Sequence, residues 1–267
     1  MNRPVQPFVV RGAAAPPIPL VVSIPHTGTL LPEETRRRLA STAMAAQPMT
    51  DWHLHALYDF LPALGITTIH AVYSRFVVDL NRPPDGHALY PGRFETGLVP
   101  METFSGDRVF AAPPTAEETE LLRADYYTPY HRRLGELLEE QIETHGRVVL
   151  IDAHSVASAA SRLHGPLDKH IYLGDRDGET CGHWLRDCLQ TGFEVEGMKV
   201  GLNDPYKGGY ITDHYGRLPN VEAIQIEMCQ RVYMAEDAPE EGPRHPRFGV
   251  AKRILKQVLT SVAARIA

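Results

Sequence analysis

The chain has 267 residues, 43% apolar and 22% charged, enough apolar matter for a packed core and unlike a disordered sequence. Its net charge of −6 at pH 7 offers no basic footprint for nucleic acid. The three cysteines, Cys181, Cys188 and Cys229, form no Cys-x-x-Cys pair, a pattern of reducing compartments and not of a disulfide scaffold. Residues 1–20 are rich in Pro and Ala, with no continuous apolar segment behind basic residues, and no apolar run is long enough to span a bilayer. These features predict a cytoplasmic protein with a small-molecule partner and no membrane association.

Leu20-Val21-Val22-Ser23-Ile24 predicts a buried strand, closed by Pro25 and followed at once by His26-Thr27-Gly28. Pro32-Glu33-Glu34 predicts the start of a helix running through Arg36 to about Ala45, with proline in the first turn and acids beside the positive end of the helix dipole. Trp52, Leu54, Leu57, Tyr58 and Leu61 have helical spacing behind Thr50-Asp51, either of which can serve as N-cap. Thr67 to Val72 and Phe76 to Leu80 read as strands, the second running into Asn81-Arg82-Pro83-Pro84, where the prolines force an extended or turning chain. Residues 85–114, rich in Gly and Pro, form a long irregular insertion that carries Tyr90, Phe94 and Phe104. From Thr115 to about Thr144 the pattern is a long helix: Thr115 and Glu118 make a capping box, and Leu121, Leu122, Tyr126, Leu134, Leu137, Leu138 and Ile142 supply its apolar stripe.

Arg147 to Ile151 then predicts a strand buried on both faces, which delivers Asp152-Ala153-His154-Ser155 at its C-terminal end. In open α/β sheets ligands bind in the crevice beyond the carboxyl ends of the strands. After a loop to Asp168, a strand is expected at His170 to Leu173, a helix over Thr180 to Leu189 and a strand near Glu194 to Gly201. The glycine-bearing loop Asn203 to Tyr210 leads to a short helix or turn, and the alternation of Ala223 to Met228 predicts a strand with Gln225 and Glu227 on one face. A last amphipathic helix covers about Phe248 to Ala264. With no internal repeat and no linker, the expectation is one α/β domain over residues 1–267.

His26 and His154, each at the end of an apolar strand, are candidate metal ligands. A catalytic zinc takes three protein ligands and leaves a fourth position for water. Asp51 is the candidate third ligand, with His53 and His55 as alternatives in the same region. Glu227 is the candidate general base for a bound water, and Asp152 a residue that orients a ligand from behind. Arg75, Arg82 and Lys207 are placed to hold an anionic substrate, and Arg75 to stabilise a developing oxyanion. His131, on the long helix, reads as structural. Zinc is the expected ion, although histidine and carboxylate ligands accept other divalent transition metals.

Five motifs in order, Ser23-Ile24-Pro25-His26-Thr27-Gly28, Asp79-Leu80-Asn81-Arg82-Pro83, Asp152-Ala153-His154-Ser155, Asn203 through Thr212 and Gln225-Ile226-Glu227, resemble the motif series of the N-formylglutamate amidohydrolase family, over about Val21 to Met234. That family is related to zinc carboxypeptidases and the aspartoacylase group. The resemblance implies a mixed, mostly parallel sheet with helices on both faces, of the phosphorylase/hydrolase-like kind, and one zinc ion. It implies hydrolysis of N-formyl-L-glutamate, as in histidine degradation, with His26 and His154 as ligands and Glu227 as base. Asn81-Arg82 resembles the pair with which carboxypeptidases grip a substrate carboxylate, and Tyr210 their mobile substrate tyrosine. Two departures stand out: Thr29 occupies the third place after His26, where carboxypeptidases carry a glutamate ligand, and Val156-Ala157-Ser158 follows the Asp-Ala-His-Ser motif where the histidine-degrading enzymes carry an arginine. Deacylation of another N-acyl amino acid, or a catalytically silent binding protein on this fold, are the competing expectations, and turnover separates them.

Overall fold

The computed structural model describes residues 5–267. Its strands are β1 (Phe8–Arg11), β2 (Leu20–Ile24), β3 (Thr67–Ala71), β4 (Val148–Val156), β5 (Ile171–Gly174), β6 (Val200–Leu202) and β7 (Val221–Cys229). They form one sheet in the order β1-β3-β2-β4-β7-β5-β6. The central strands β3, β2, β4 and β7 run parallel, β1 lies antiparallel on one edge, and β5 turns antiparallel to β7 with β6 parallel beyond it. The sheet is thus mixed and mostly parallel.

The helices are α1 (Glu33–Arg37), α2 (Leu54–Leu57), α3 (Ala116–Leu122), α4 (Thr128–His145), α5 (His183–Val195), α6 (Tyr210–Gly216) and α7 (Pro246–Ile266). Successive strand residues point to opposite faces, and both faces are apolar. Val22, Ile151 and Ile224 pack with α2, α5 and α7, while Val21, Leu150 and Ala223 pack with α4 and α6. On α7, Phe248, Ala251, Leu255, Val258, Leu259 and Val262 are buried at three- and four-residue spacing. Truncating one such side chain, Leu255→Ala, is expected to cost about 2–5 kcal/mol. No helix of the described residues is long and apolar enough to cross a membrane.

The helix expected from Pro32 to Ala45 breaks into α1 and a 3₁₀ turn, Thr42–Ala46. The intervening backbone pairs instead with the insertion, Ala40 N–H donating to Val109 O at 2.9 Å. The helix expected behind Asp51 shrinks to α2 and a 3₁₀ turn at Leu61–Leu64, and the N-cap position falls to His53, with φ 60°, rather than to Thr50 or Asp51. Phe76 to Leu80 is buried but is no strand: Val77 N–H turns back onto Ser74 O, and Asp79 N–H donates to Leu98 O. Phe76 and Val77 fill a small core with Leu31, Val109 and Phe110, whereas Val78 and Leu80 pack into the core under α4 and α6. Glu194 and Val195 end α5, so the strand expected from Glu194 is only Val200–Leu202. The short edge strand β1 is not among the elements expected from the sequence.

The long helix forms with its capping box but opens into a π turn at Arg123–Tyr127 between α3 and α4. The 85–114 insertion contains no helix or strand, apart from isolated bridges Leu39–Phe110 and Glu102–Arg108.

Candidate active site

Strands β4 and β7 are paired so that Asp152 lies opposite Gln225 and His154 opposite Glu227. All four have the parity of Leu150 and Ala223, so at the C-terminal ends of two adjacent strands one face changes from apolar to polar. β2, the other neighbour of β4, ends just before His26. Gly28 lets the chain pass close against Val72 and Tyr73, since a Cβ would lie 2.3 Å from Tyr73 O. Asp51 is tied to this end by its own N–H, which donates to His26 O at 3.0 Å. Gln230 Nε2 donating to Thr50 O (2.9 Å) and the Tyr233 hydroxyl donating to Trp52 O (2.8 Å) hold the segment on either side.

The result is a buried cluster of His26, Asp51 and His154. Asp51 Oδ2 lies 3.0 Å from His154 Nδ1 and 3.7 Å from His26 Nδ1, and the two Nδ1 atoms are 3.2 Å apart. Bonds of about 2.0–2.1 Å in a tetrahedral site put ligand atoms roughly 3.3 Å apart, so these three atoms fit one face of such a site. The far ring nitrogens have acceptors of their own: His26 Nε2 meets Asp79 Oδ1 at 2.7 Å, and His154 Nε2 meets Asp152 Oδ2 at 3.0 Å. Both rings can therefore carry their proton on Nε2 and turn an Nδ1 lone pair to a common point. Burial opposes ionisation of Asp51, but the adjacent imidazoles of His154 and His26 outweigh it and hold its carboxyl well below the usual range.

Glu227 is buried beside this cluster, and its nearest side-chain partner is Gln225, whose Nε2 donates to Oε2 at 2.8 Å. Burial, the dominant cause, raises its pKa to about 8, against the pull of His154. Arg231 does not pair with it, since its guanidinium donates to Lys169 O at 2.6 Å.

Cluster and base open on a cavity of about 380 Å³. Four arginines line it, Arg75, Arg82, Arg93 and Arg162. Arg75 Nη2 donates to Asp79 Oδ2 at 2.6 Å, and its Nε is buried with no partner among the described residues. Arg82 is fixed by Nε to Thr96 O (2.9 Å) and Nη1 to Asn81 O (3.0 Å). Asn81 lines the cavity, but its amide is engaged, donating to Asp152 at 3.0 Å and accepting from Ile211 N–H at 2.7 Å. Gly209 makes room for it, because a Cβ would fall 2.3 Å from Asn81 Nδ2.

The remaining predicted residues lie elsewhere. His53 Nε2 meets Pro239 O at 2.7 Å and His55 Nδ1 meets Thr27 Oγ1 at 2.9 Å, so neither competes with Asp51. Lys207 is not brought to the cavity; its Nζ pairs with Asp177 at 2.6 Å. Tyr210 opens α6 and stacks on His214, outside the cavity lining. His131 bridges Leu80 O (2.8 Å) and the Tyr215 hydroxyl (3.1 Å), and burial lowers its pKa to about 4, in keeping with a structural neutral imidazole. Sequence reasoning missed Asp79, Arg93, Arg162 and Tyr206. Asp79 carried a signal, a carboxylate inside the apolar run Phe76 to Leu80 that needs partners if buried, and Tyr206 stands within the motif Asn203 through Thr212, whereas Arg93 and Arg162 lie in no motif.

The model of the N-formylglutamate amidohydrolase family matches residues 18–234. The chain is 37% identical to an N-formylglutamate deformylase of Pseudomonas putida, over 93% of this chain and 95% of that protein. It is 40% identical to one of Pseudomonas aeruginosa, over 92% and 93%. The crystal structure of an N-formylglutamate amidohydrolase from Ralstonia eutropha JMP134 superposes with a TM-score of 0.83 at 27% identity, covering 98% of both chains. A gene product of Agrobacterium tumefaciens, at 20% identity and a TM-score of 0.74, shares the fold. The chain belongs to the N-formylglutamate amidohydrolase family.

Proposed function

We propose that the protein hydrolyses N-formyl-L-glutamate to formate and L-glutamate, using one divalent metal ion, with zinc the leading candidate, held by His26, Asp51 and His154. The observation that carries this reading is that the three convergent ligand atoms, the buried Glu227 and four arginines share one cavity. It is supported by two relatives named as deformylases of this substrate. When bound, the ion would supply Lewis acidity to the formyl carbonyl and lower the pKa of water.

The chain's own groups do the rest. Glu227 takes the proton of the attacking water and delivers it to the departing nitrogen. Asp79 and Asp152 hold the two imidazoles in the Nε2–H tautomer. Arg82, fixed to the main chain and with Nη2 free of hydrogen bonds among the described residues, grips a substrate carboxylate, beside an Asn81 that shapes the pocket. Arg75 stabilises charge that develops on the formyl oxygen. An anionic substrate suits a cavity whose four guanidinium groups outnumber the carboxyl groups in its lining, Asp51, Glu95 and Glu227.

The test is formate release from N-formyl-L-glutamate by zinc-loaded protein, with N-acetyl-L-glutamate and N-formyl-L-methionine as comparison substrates. Formate release that collapses in Glu227→Gln supports substrate class and base together. Faster turnover of N-acetylglutamate would move the reading to another deacylase, and no turnover of any of the three by folded, metal-loaded protein would refute it.

A further inference from the structure

Of the two tyrosines that line the cavity, one has its hydroxyl committed: Tyr90 donates to Gly208 O. The other, Tyr206, has a buried hydroxyl with no hydrogen-bond partner among the described residues. Its ring is held edge-on between Tyr172 (centroids 6.0 Å, interplanar angle 72°) and His164 (5.6 Å, 68°). Buried polar groups are rarely left unpaired, and one at the wall of a reaction cavity marks a place where a ligand completes the bond. Burial, reinforced by the nearby carboxylates of Glu227 and Asp51, pushes the Tyr206 hydroxyl well above its ordinary pKa. It is therefore a neutral donor throughout the physiological range.

We propose that Tyr206 is a catalytic hydrogen-bond donor, its hydroxyl donating to the formyl oxygen as that oxygen acquires negative charge. The inference rests on the amide-hydrolysis reading above. As the water oxygen forms the new C–O bond, the carbonyl π pair moves to the formyl oxygen, where Tyr206 O–H meets it and keeps its proton. On collapse the C–N bond breaks, the nitrogen takes the proton carried by Glu227, and formate and glutamate leave. Tyr206 thus adds a neutral donor to the charge of Arg75, a pairing suited to a charge that exists only in the transition state.

The experiment compares the zinc-loaded wild-type protein with Tyr206→Phe and with Tyr172→Phe, which deletes a hydroxyl in the same packing cluster outside the cavity. Tyr206→Phe should lower kcat for formate release by about a hundredfold with KM changed less than about threefold. Its Tm should equal or exceed that of the wild type, since an unpartnered hydroxyl is removed. Tyr172→Phe should leave kcat in place. Inorganic phosphate, a tetrahedral oxyanion with no acyl or glutamyl group, supplies a second readout by calorimetry, with binding about tenfold weaker in Tyr206→Phe. An unchanged kcat, a loss confined to KM, or a fall in Tm that marks a structural hydroxyl overturns the proposal. If the wild type releases no formate, the substrate reading fails and phosphate decides: equal dissociation constants, or no binding by either protein, overturn the role of Tyr206.

Discussion

His26 Nε2 and Asp79 Oδ1 lie 2.7 Å apart, and the other oxygen of Asp79 receives Arg75 Nη2 at 2.6 Å. One fully buried carboxylate therefore fixes the imidazole of a candidate metal ligand and the guanidinium at the cavity wall. Burial disfavours its charge, but Arg75, His26 and Arg82 outweigh that and hold the carboxyl well below its ordinary pKa. Asp79→Asn keeps the shape and an acceptor for His26, but removes the charge opposite Arg75. Metal affinity should fall about 10- to 100-fold, as for other groups that orient a ligand from behind. Titration of the apo variant with zinc measures it, and wild-type affinity would leave Asp79 with no part in the metal site.

Metal removal should act on stability as well as on activity, because the three candidate ligand atoms come from separate stretches of chain. An ion at a hundred times its dissociation constant stabilises the folded state by about 2.7 kcal/mol. Chelation should then lower Tm by roughly 5 °C or more and abolish turnover, with both restored by added zinc. His154→Ala should show no such response. A wild-type Tm indifferent to chelator and metal would be incompatible with the proposed site.

In the metal-free protein, pH should act through Glu227 and His154 with the same sign. The folded chain keeps the Glu227 proton up to a pH of about 8, whereas an unfolded chain releases it near 4.5. Its stabilising contribution is thus fully present below 4.5 and is lost as pH rises through 8. For His154, burial favours the neutral ring, but Asp152 and Asp51 outweigh it and raise the pKa well above 6.5. That contribution is present below 6.5 and lost as pH climbs past the raised value. Below pH 6.5 the buried neutral imidazole of His131 acts with the opposite sign, so the Tm of metal-free protein should decline from pH 7 to pH 9, less steeply in Glu227→Gln, the difference being on the order of 1 kcal/mol in stability. Zinc binding needs deprotonated ligands and should strengthen over the same interval. Parallel Tm–pH curves for wild type and Glu227→Gln would show that Glu227 is not the buried acid described here.

How much of this was legible in the sequence depended on whether a residue's neighbours were sequential or spatial. The central strands and both long helices announced themselves, since Leu20 to Ile24, Val148 to Ile151 and the α7 stripe carry their own periodicity. The strand-end positions of His26 and His154 followed from that, as did the common face of Gln225 and Glu227. Phe76 to Leu80 misled because burial, not pairing, explains its apolar residues: its backbone bonds go to turns and to Leu98. Arg93, Arg162 and Tyr206 stood in irregular loops whose paths are set by tertiary contacts. Arg162 is seated on Phe94 (4.8 Å to the ring centroid) and paired with Glu102, 60 residues away in sequence. Lys207 looked equally suitable by charge and lies on the same glycine-bearing loop as Tyr206, yet it turns outward to Asp177.

That contrast between cations yields a test of substrate grip. Arg82 presents a planar fork whose Nε and Nη1 are already fixed to Thr96 and Asn81 main-chain oxygens, so its orientation is set before substrate arrives. Lysine keeps the charge but cannot make these bonds and a carboxylate contact together. Arg82→Lys should raise KM for N-formyl-L-glutamate by about tenfold or more, with a smaller effect on kcat if the contact is equal in ground and transition states. Lys207→Ala removes a half-exposed ion pair of the kind that contributes roughly 0–1 kcal/mol, and should leave KM within about twofold of wild type. Steady-state kinetics of the two variants decide the matter. A KM that responds to Lys207 and not to Arg82 would mean that the loop bearing Lys207 swings inward to meet the substrate, and that the carboxylate is read there.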